Sequence, residues 1–203
     1  MENARERTDV QLWARRCAGS RAVLASSAME DLRYPIGKFV RPETVSPSEL
    51  DGFIQQIAET PDRLRDAVGG LDRKQLETPY RPGGWTVRQV VHHLPDSHLN
   101  SYVRFKLAIT EDEPTIKGYD EAAWAELADG KSASVETSLA LLSSLHERWV
   151  TFLRSLGPAE CARGFHHSEL GRMRVDQNMA LYAWHGRHHV AHIEALRARE
   201  GWR

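Results

Sequence analysis

The sequence predicts an all-α protein: a four-helix bundle with a long crossover connection between helices 2 and 3. Three observations predict it. Four long segments carry apolar residues at helical spacing. Three of those segments open on capping signals: Ser46-Pro47-Ser48-Glu49, Thr86 with Gln89, and Asp176. Breaks rich in proline and glycine separate the segments, and no region is rich in strand formers.

Residues 1–30 combine arginine with alanine and serine, interrupted by Glu2, Glu6 and Asp9, and lack the apolar run of a secretion signal. They are expected to be a disordered, dispensable extension, with Met29 as an alternative start, ahead of one bundle domain over 31–203. Leu32 to Glu43 should be extended, because Tyr34-Pro35-Ile36-Gly37 opposes helix and reads as an arm. The first long helix starts at the Ser46 cap with Pro47 in its first turn. Leu50, Phe53, Ile54, Ile57, Leu64 and Val68 keep its period, Pro61 predicts a kink, and Gly69-Gly70 ends it. Asp72 with Gln75 caps a short helical turn. Glu77 to Trp85 holds two prolines and two glycines in nine residues and reads as a loop. The second long helix runs from Thr86 to about Thr110, and Glu111-Asp112-Glu113-Pro114 stops it. Tyr119 to Leu127 is a shorter helix within the crossover. The third long helix spans Ser134 to Leu156, with Leu139, Leu142, Leu145, Trp149, Phe152 and Leu153 as its core stripe. Gly157 to Val175 is a loop, or a small hairpin around Glu169-Leu170-Gly171. Asp176 is expected to cap the last helix, which ends near Gly201.

A chain of 203 residues can bury one substantial core. Hydrophobic residues make up 41% and charged residues 27%, the balance of a soluble globular protein. The net charge of −1 offers no general basic field, so neither nucleic acid nor an anionic membrane is expected as a partner. No apolar run approaches the roughly 18 residues of a transmembrane helix. The two cysteines, Cys17 and Cys161, lie far apart, which is no disulfide framework and suits a reducing cytoplasm. Nothing around Cys161 argues for a reactive thiolate.

Histidine is where the composition departs from the ordinary. Four of the ten histidines, His185, His188, His189 and His192, fall within eight residues of the last helix. At roughly 100° per residue they span an arc of about 100°, in the same sector as Leu181 and Leu196, so they occupy the stripe that should face the core. A helix spends that stripe on apolar groups unless polar ones find partners there. The second helix supplies His92, His93 and His98. Two facing helices offering two and one imidazoles make a three-His site, the pattern of an open catalytic metal centre. Periodicity leaves the set open. His185 with His189 and His188 with His192 are both i, i+4 pairs; His98 lies within the apolar stripe of the second helix and His93 on its margin. The zincin pattern is absent, because Gly186-Arg187-His188 stands between His185 and His189.

Separated motifs then resemble the YfiT branch of the DinB superfamily. They are Gly83-Gly84-Trp85-Thr86-Val87-Arg88-Gln89-Val90-Val91-His92-His93-Leu94, with Asp96-Ser97-His98-Leu99-Asn100-Ser101-Tyr102 after it. Tyr34-Pro35-Ile36-Gly37, Thr78-Pro79-Tyr80-Arg81 and the run from Trp184-His185 to Ile193 agree in order. The resemblance covers about Leu32 to Trp202. It implies a DinB/YfiT-like four-helix bundle holding one divalent metal per subunit, Zn or Ni, through three histidines, and dimerising. The ligands it implies are His93, the histidine before a leucine eight residues after the tryptophan, with His185 and His189 in the last helix. His192 falls where many superfamily members have Gln, and so belongs to the pocket wall or supports a ligand. Pro95 departs from the pattern, where a helix former such as Ala is expected.

The expected function is that of a metal-dependent hydrolase whose metal activates water against a small-molecule substrate. The alternative is an S-transferase in which a low-molecular-weight thiol serves as cosubstrate and attacks electrophiles; some superfamily relatives act on such thiols. A third class is a non-catalytic metal-binding protein. The reacting group would be a metal-bound water or a thiolate, and no residue stands out as general base. Asp96 and Glu194 are candidates to support the ligand histidines, by proximity in sequence. His166-His167 should sit in a loop, at the pocket mouth or solvated, and His146 should be structural. Trp85 and Trp184 should pack next to the site. Arg81 and Arg88 are surface charges that could meet an anionic substrate.

Overall fold

The computed structural model describes residues 32–202; the extension expected over 1–30 lies outside them. Eight helices and three short strands follow in the order α1 (Pro47–Val68), α2 (Arg73–Leu76), α3 (Val87–Thr110), β1 (Thr115–Ile116), α4 (Glu121–Ala125), α5 (Ala128–Ser132), α6 (Val135–Arg154), α7 (Pro158–Cys161), β2 (Gly164–His167), β3 (Gly171–Arg174) and α8 (Val175–Glu200). The four long helices, α1, α3, α6 and α8, form the bundle. The capping boxes at Ser46, Asp72 and Thr86 form as the spacing predicts.

The apolar core is in two parts. Ile54, Ile57, Phe105, Trp149 and Met179 belong to one cluster. Leu64, Val87, Leu94, Leu142 and Ile193 belong to the other. Chain order through the clusters gives the topology. α1 and α8 run from the first cluster to the second, whereas α3 and α6 run from the second to the first. The parallel pair α3 and α6 therefore needs a connection that returns the chain from one end of the bundle to the other. Residues 111–134 do this, with β1, α4 and α5 along the way. Gln89 ties that crossover to α3, its Nε2 donating to the Ala125 carbonyl at 2.9 Å.

Between the clusters each long helix contributes a polar residue: Thr60 from α1, His98 from α3, His146 from α6 and His185 from α8. α1 and α8 approach closely at this level, because Gly186 faces Thr60. A Cβ on Gly186 would stand 2.5 Å from Thr60 Oγ1.

Two local expectations change, and one open alternative is decided. The crossover helix expected over Tyr119–Leu127 forms as the shorter α4, and a further helix, α5, follows beyond the expected range. The Gly157–Val175 segment forms the hairpin β2–β3, and β1 joins it in parallel, pairing Thr115 with His166. A two-residue strand carries too little alternation to be seen in sequence. Asp176 is not the cap of the last helix. Arg174 takes the N-cap position, its backbone N–H donating to Gln177 Oε1 at 3.0 Å, because β3 feeds the helix directly. Asp176, inside the first turn, holds the Arg174 guanidinium instead, at 3.0 Å.

An N-terminal arm runs antiparallel along α8. The carbonyls of Arg33, Gly37 and Pro42 accept, in that order, from His192 Nε2 (3.2 Å), Trp184 Nε1 (3.2 Å) and Gln177 Nε2 (2.9 Å). No helix among the described residues is long and apolar enough to cross a membrane.

Candidate metal centre

The histidine stripe of α8 faces α3 across the polar layer. One ligand atom each of His93, His185 and His189 lie within 4.8 Å of one another, the only such group among the described residues. His93 Nε2 and His185 Nε2 are 3.3 Å apart. Two nitrogens bound at 2.0–2.1 Å to one tetrahedral ion stand about 3.3 Å apart, so this edge fits a zinc-like ion.

The loop before α3 builds one wall. The Tyr80 N–H donates to the Trp85 carbonyl at 3.0 Å, and Gly83 turns the chain at φ +67°. Closing that turn puts two aromatic rings on the cluster. Trp85 lies 4.7 Å from the His93 ring, and Tyr80 stacks on His192 at 4.1 Å.

A chain of imidazoles sets the protons. His146 Nδ1 lies 2.7 Å from the Ile57 carbonyl, so that nitrogen carries the hydrogen. Its Nε2 must then accept from His98 Nδ1, at 2.7 Å. His98 Nε2 in turn accepts from His185 Nδ1, at 3.0 Å. With each ring neutral, the Ile57 carbonyl thus fixes three tautomers and leaves the His185 Nε2 lone pair facing His93. Burial keeps the rings neutral: it pushes His93 and His146 down to about 4, and His98, His185 and His189 well below the ordinary histidine range.

The remaining histidines have other duties. His92 joins α3 to the start of α6, through Ser138 Oγ at 2.7 Å and the Ala133 carbonyl at 3.2 Å. His188 stacks on Trp184 at 4.3 Å. His166 is exposed beside Glu113, while His167 on the same strand is buried and lines the cavity.

Two sequence-based expectations for supporting carboxylates fail. Glu194 is exposed, and the Asp96 carboxylate makes no hydrogen bond among the described residues. The partner of His185 is His98, which no sequence pattern singled out as such. Burial, then the nearby Asp129, raises Asp96 to about 6. Arg88 is engaged by Glu77 at 2.8 Å and by the Ala133 carbonyl.

A cavity of about 560 Å³ opens over the three histidines. Ser97, Arg104, Tyr119 and Tyr182 also line it. Arg104 was missed in the sequence, although at roughly 100° per residue it falls about 20° from His93 on the same face of α3, three turns on. Cys161 is buried, and burial pushes its thiol up.

The chain is similar to proteins of known family. The model of the DinB superfamily matches residues 56–193. A protein of Bacillus mycoides (strain KBAB4) is 56% identical over 174 residues, covering 86% of this chain and 100% of that protein. One from Bacillus cereus (strain 03BB102) is 54% identical over the same shares. Both carry the name "Putative metal-dependent hydrolase". YfiT from Bacillus subtilis, described as "a probable metal-dependent hydrolase with an unusual four-helix bundle topology", matches with a TM-score of 0.83. It is 49% identical, and the match covers 85% of this chain and 99% of that one.

Proposed function

The chain belongs to the DinB superfamily, in the YfiT branch, and from that membership we propose that it is a metal-dependent hydrolase of a small-molecule substrate. In this reading His93, His185 and His189 hold one divalent ion per subunit, Zn in the first place and Ni in the second. The observation that carries it is the 3.3 Å edge between His93 Nε2 and His185 Nε2, with the second nitrogen of His185 already engaged by His98. Three neutral imidazoles suit a borderline divalent ion and leave a position open. When bound, such an ion supplies Lewis acidity, which acidifies water near neutral pH and polarises a scissile carbonyl.

The chain's own residues do the rest. His98 and His146 hold the His185 ring in one tautomer. Trp85 and Tyr80 wall the histidines off from bulk water. Ser97, Tyr119 and Tyr182 offer hydroxyls along the cavity floor to orient a substrate.

A second reading, thiol S-transfer, is favoured by one observation: the ligand group contains no carboxylate among the described residues, and so no ready base for water. There a low-molecular-weight thiol loses its proton to solvent, its sulfur bonds to an electrophilic carbon, and the leaving group departs. Homodimerisation belongs to the same proposal and is read from the family.

The experiment is elemental analysis of untagged protein, followed by a turnover screen with esters, amides and alkyl halides, each with and without small thiols. Turnover without thiol is expected. Strict dependence on thiol, with thiol consumed, moves the assignment to transfer; protein that takes up no divalent metal overturns both.

A further inference from the structure

The cavity holds a cation that the metal chemistry does not use. Arg104 is buried, at 7% exposure, on the core face of α3. Arginine keeps its charge at any accessible pH and carries five N–H donors. Among the described residues those donors meet one partner, the Tyr182 hydroxyl, at 3.3 Å from Nη1. Among the described residues Arg104 forms no ion pair within 4.0 Å. Glu121 and Glu169 also line the cavity, and burial raises the Glu121 carboxyl while the charge of Arg104 lowers it by less; among the described residues neither carboxylate pairs with the guanidinium within 4.0 Å. A buried charge without a paired counter-ion carries a desolvation cost that a visiting anion would offset.

The surroundings point the same way. Tyr119 Oη is buried and has no hydrogen-bond partner among the described residues. Ser97 Oγ lies 3.4 Å from Tyr182 Oη, so a second hydroxyl is at hand. The charge of Arg104 adds to the burial that lowers His167, which lines the same cavity. Tyr182 connects the cation to the histidines: its ring is 5.3 Å from that of His185.

We propose that the cavity takes a small molecule bearing a carboxylate, which pairs with Arg104 and accepts from Tyr119, while its reacting end lies at His93, His185 and His189. The placement of the reacting end rests on the metal-site reading; the carboxylate site does not. The planar fork of the guanidinium matches a carboxylate, and the other arginines that line the cavity, Arg33 and Arg81, lie by His192. Arg104 therefore selects the class of substrate, and the distance from it to the histidines sets where along the molecule bond cleavage falls.

The test uses the full chain, freed of metal by chelation, with butyrate, its uncharged analogue butyramide, and inorganic phosphate as probes. Butyrate should shift the Arg104 guanidinium N–H resonance saturably, butyramide should not, and phosphate should bind more weakly. Calorimetry should give at least tenfold weaker butyrate binding for Arg104→Gln and three- to tenfold weaker for Tyr119→Phe. Tyr119→Phe deletes only a hydroxyl, and so reports even if Arg104→Gln fails to fold. Equal binding of butyrate and butyramide overturns the proposal, as does wild-type affinity in either variant. Phosphate binding more tightly than butyrate overturns the carboxylate assignment. If butyrate binds only metal-loaded protein, indifferent to Arg104, the carboxylate sits at the histidines: the carboxylate site falls and the metal reading stands. If butyrate binds through Arg104 in protein that never takes up metal, the reverse holds.

Discussion

His98 Nε2 stands 3.0 Å from His185 Nδ1, and that contact decides which nitrogen of His185 is left for the cluster. His98→Phe removes the acceptor while filling the space. Loss of such a supporting partner should weaken Zn binding 10–100-fold, measured by competition with a chromophoric chelator. His146→Asn, one step further along the chain, should weaken it less. Unchanged affinity in His98→Phe would mean that tautomer control is irrelevant here.

The histidines of α3 and α8 should divide sharply. His93→Ala, His185→Ala and His189→Ala should each lose most bound metal, whereas His188→Ala should retain it, since that ring is occupied in stacking on Trp184. Elemental analysis of untagged protein reads the result. Equal loss in His188→Ala and His189→Ala refutes the ligand set.

Acid should destabilise the metal-free protein above the ordinary carboxylate range. His146 has a folded pKa of about 4, against about 6.5 for an unfolded histidine. The unfolded chain therefore binds the extra proton first. The stability that neutral His146 contributes is complete above about pH 6.5 and is lost as pH falls towards 4, to the extent of about 3 kcal/mol at most. Urea midpoints measured every half pH unit should fall through that window. A flat profile between 6.5 and 4 contradicts a buried neutral histidine network.

Asp96 carries the opposite sign. Its carboxyl is raised to about 6 in the folded protein, so its ionisation opposes folding. The cost is absent below about pH 4 and complete above 6. Asp96→Asn should therefore stabilise the protein at pH 7.5 by on the order of 1 kcal/mol, discounted for its half-exposed position, and the gain should vanish near pH 4. Thermal melts at the two pH values decide it; a loss of stability at pH 7.5 would show that Asp96 has a partner that offsets its burial.

Gly186 faces Thr60, so Gly186→Ala should overpack the α1–α8 contact. The added methyl costs about 1–3 kcal/mol there, only partly offset by the roughly 1 kcal/mol that Ala gains over Gly within a helix. Combining it with Thr60→Ala should recover much of the loss. A melting temperature at or above wild type in the single variant would show that the helices part freely at this level.

The sequence by itself determined the four long helices, the caps of the first two and the crossover, because each rests on interactions within a few residues: periodic apolar groups, an N-cap oxygen, a proline. It also determined that imidazoles would crowd the core faces of two helices. It did not determine which imidazoles would meet. His92 and His93 are neighbours in sequence, yet one ties α3 to α6 and the other faces His185, because 100° of helical rotation separates them and only packing sets the phase. Tertiary structure alone decided the His146–His98–His185 chain and the isolation of Arg104. Both depend on residues 48 or more positions apart meeting in the interior, where burial keeps the histidines neutral and leaves Arg104 without a paired carboxylate among the described residues.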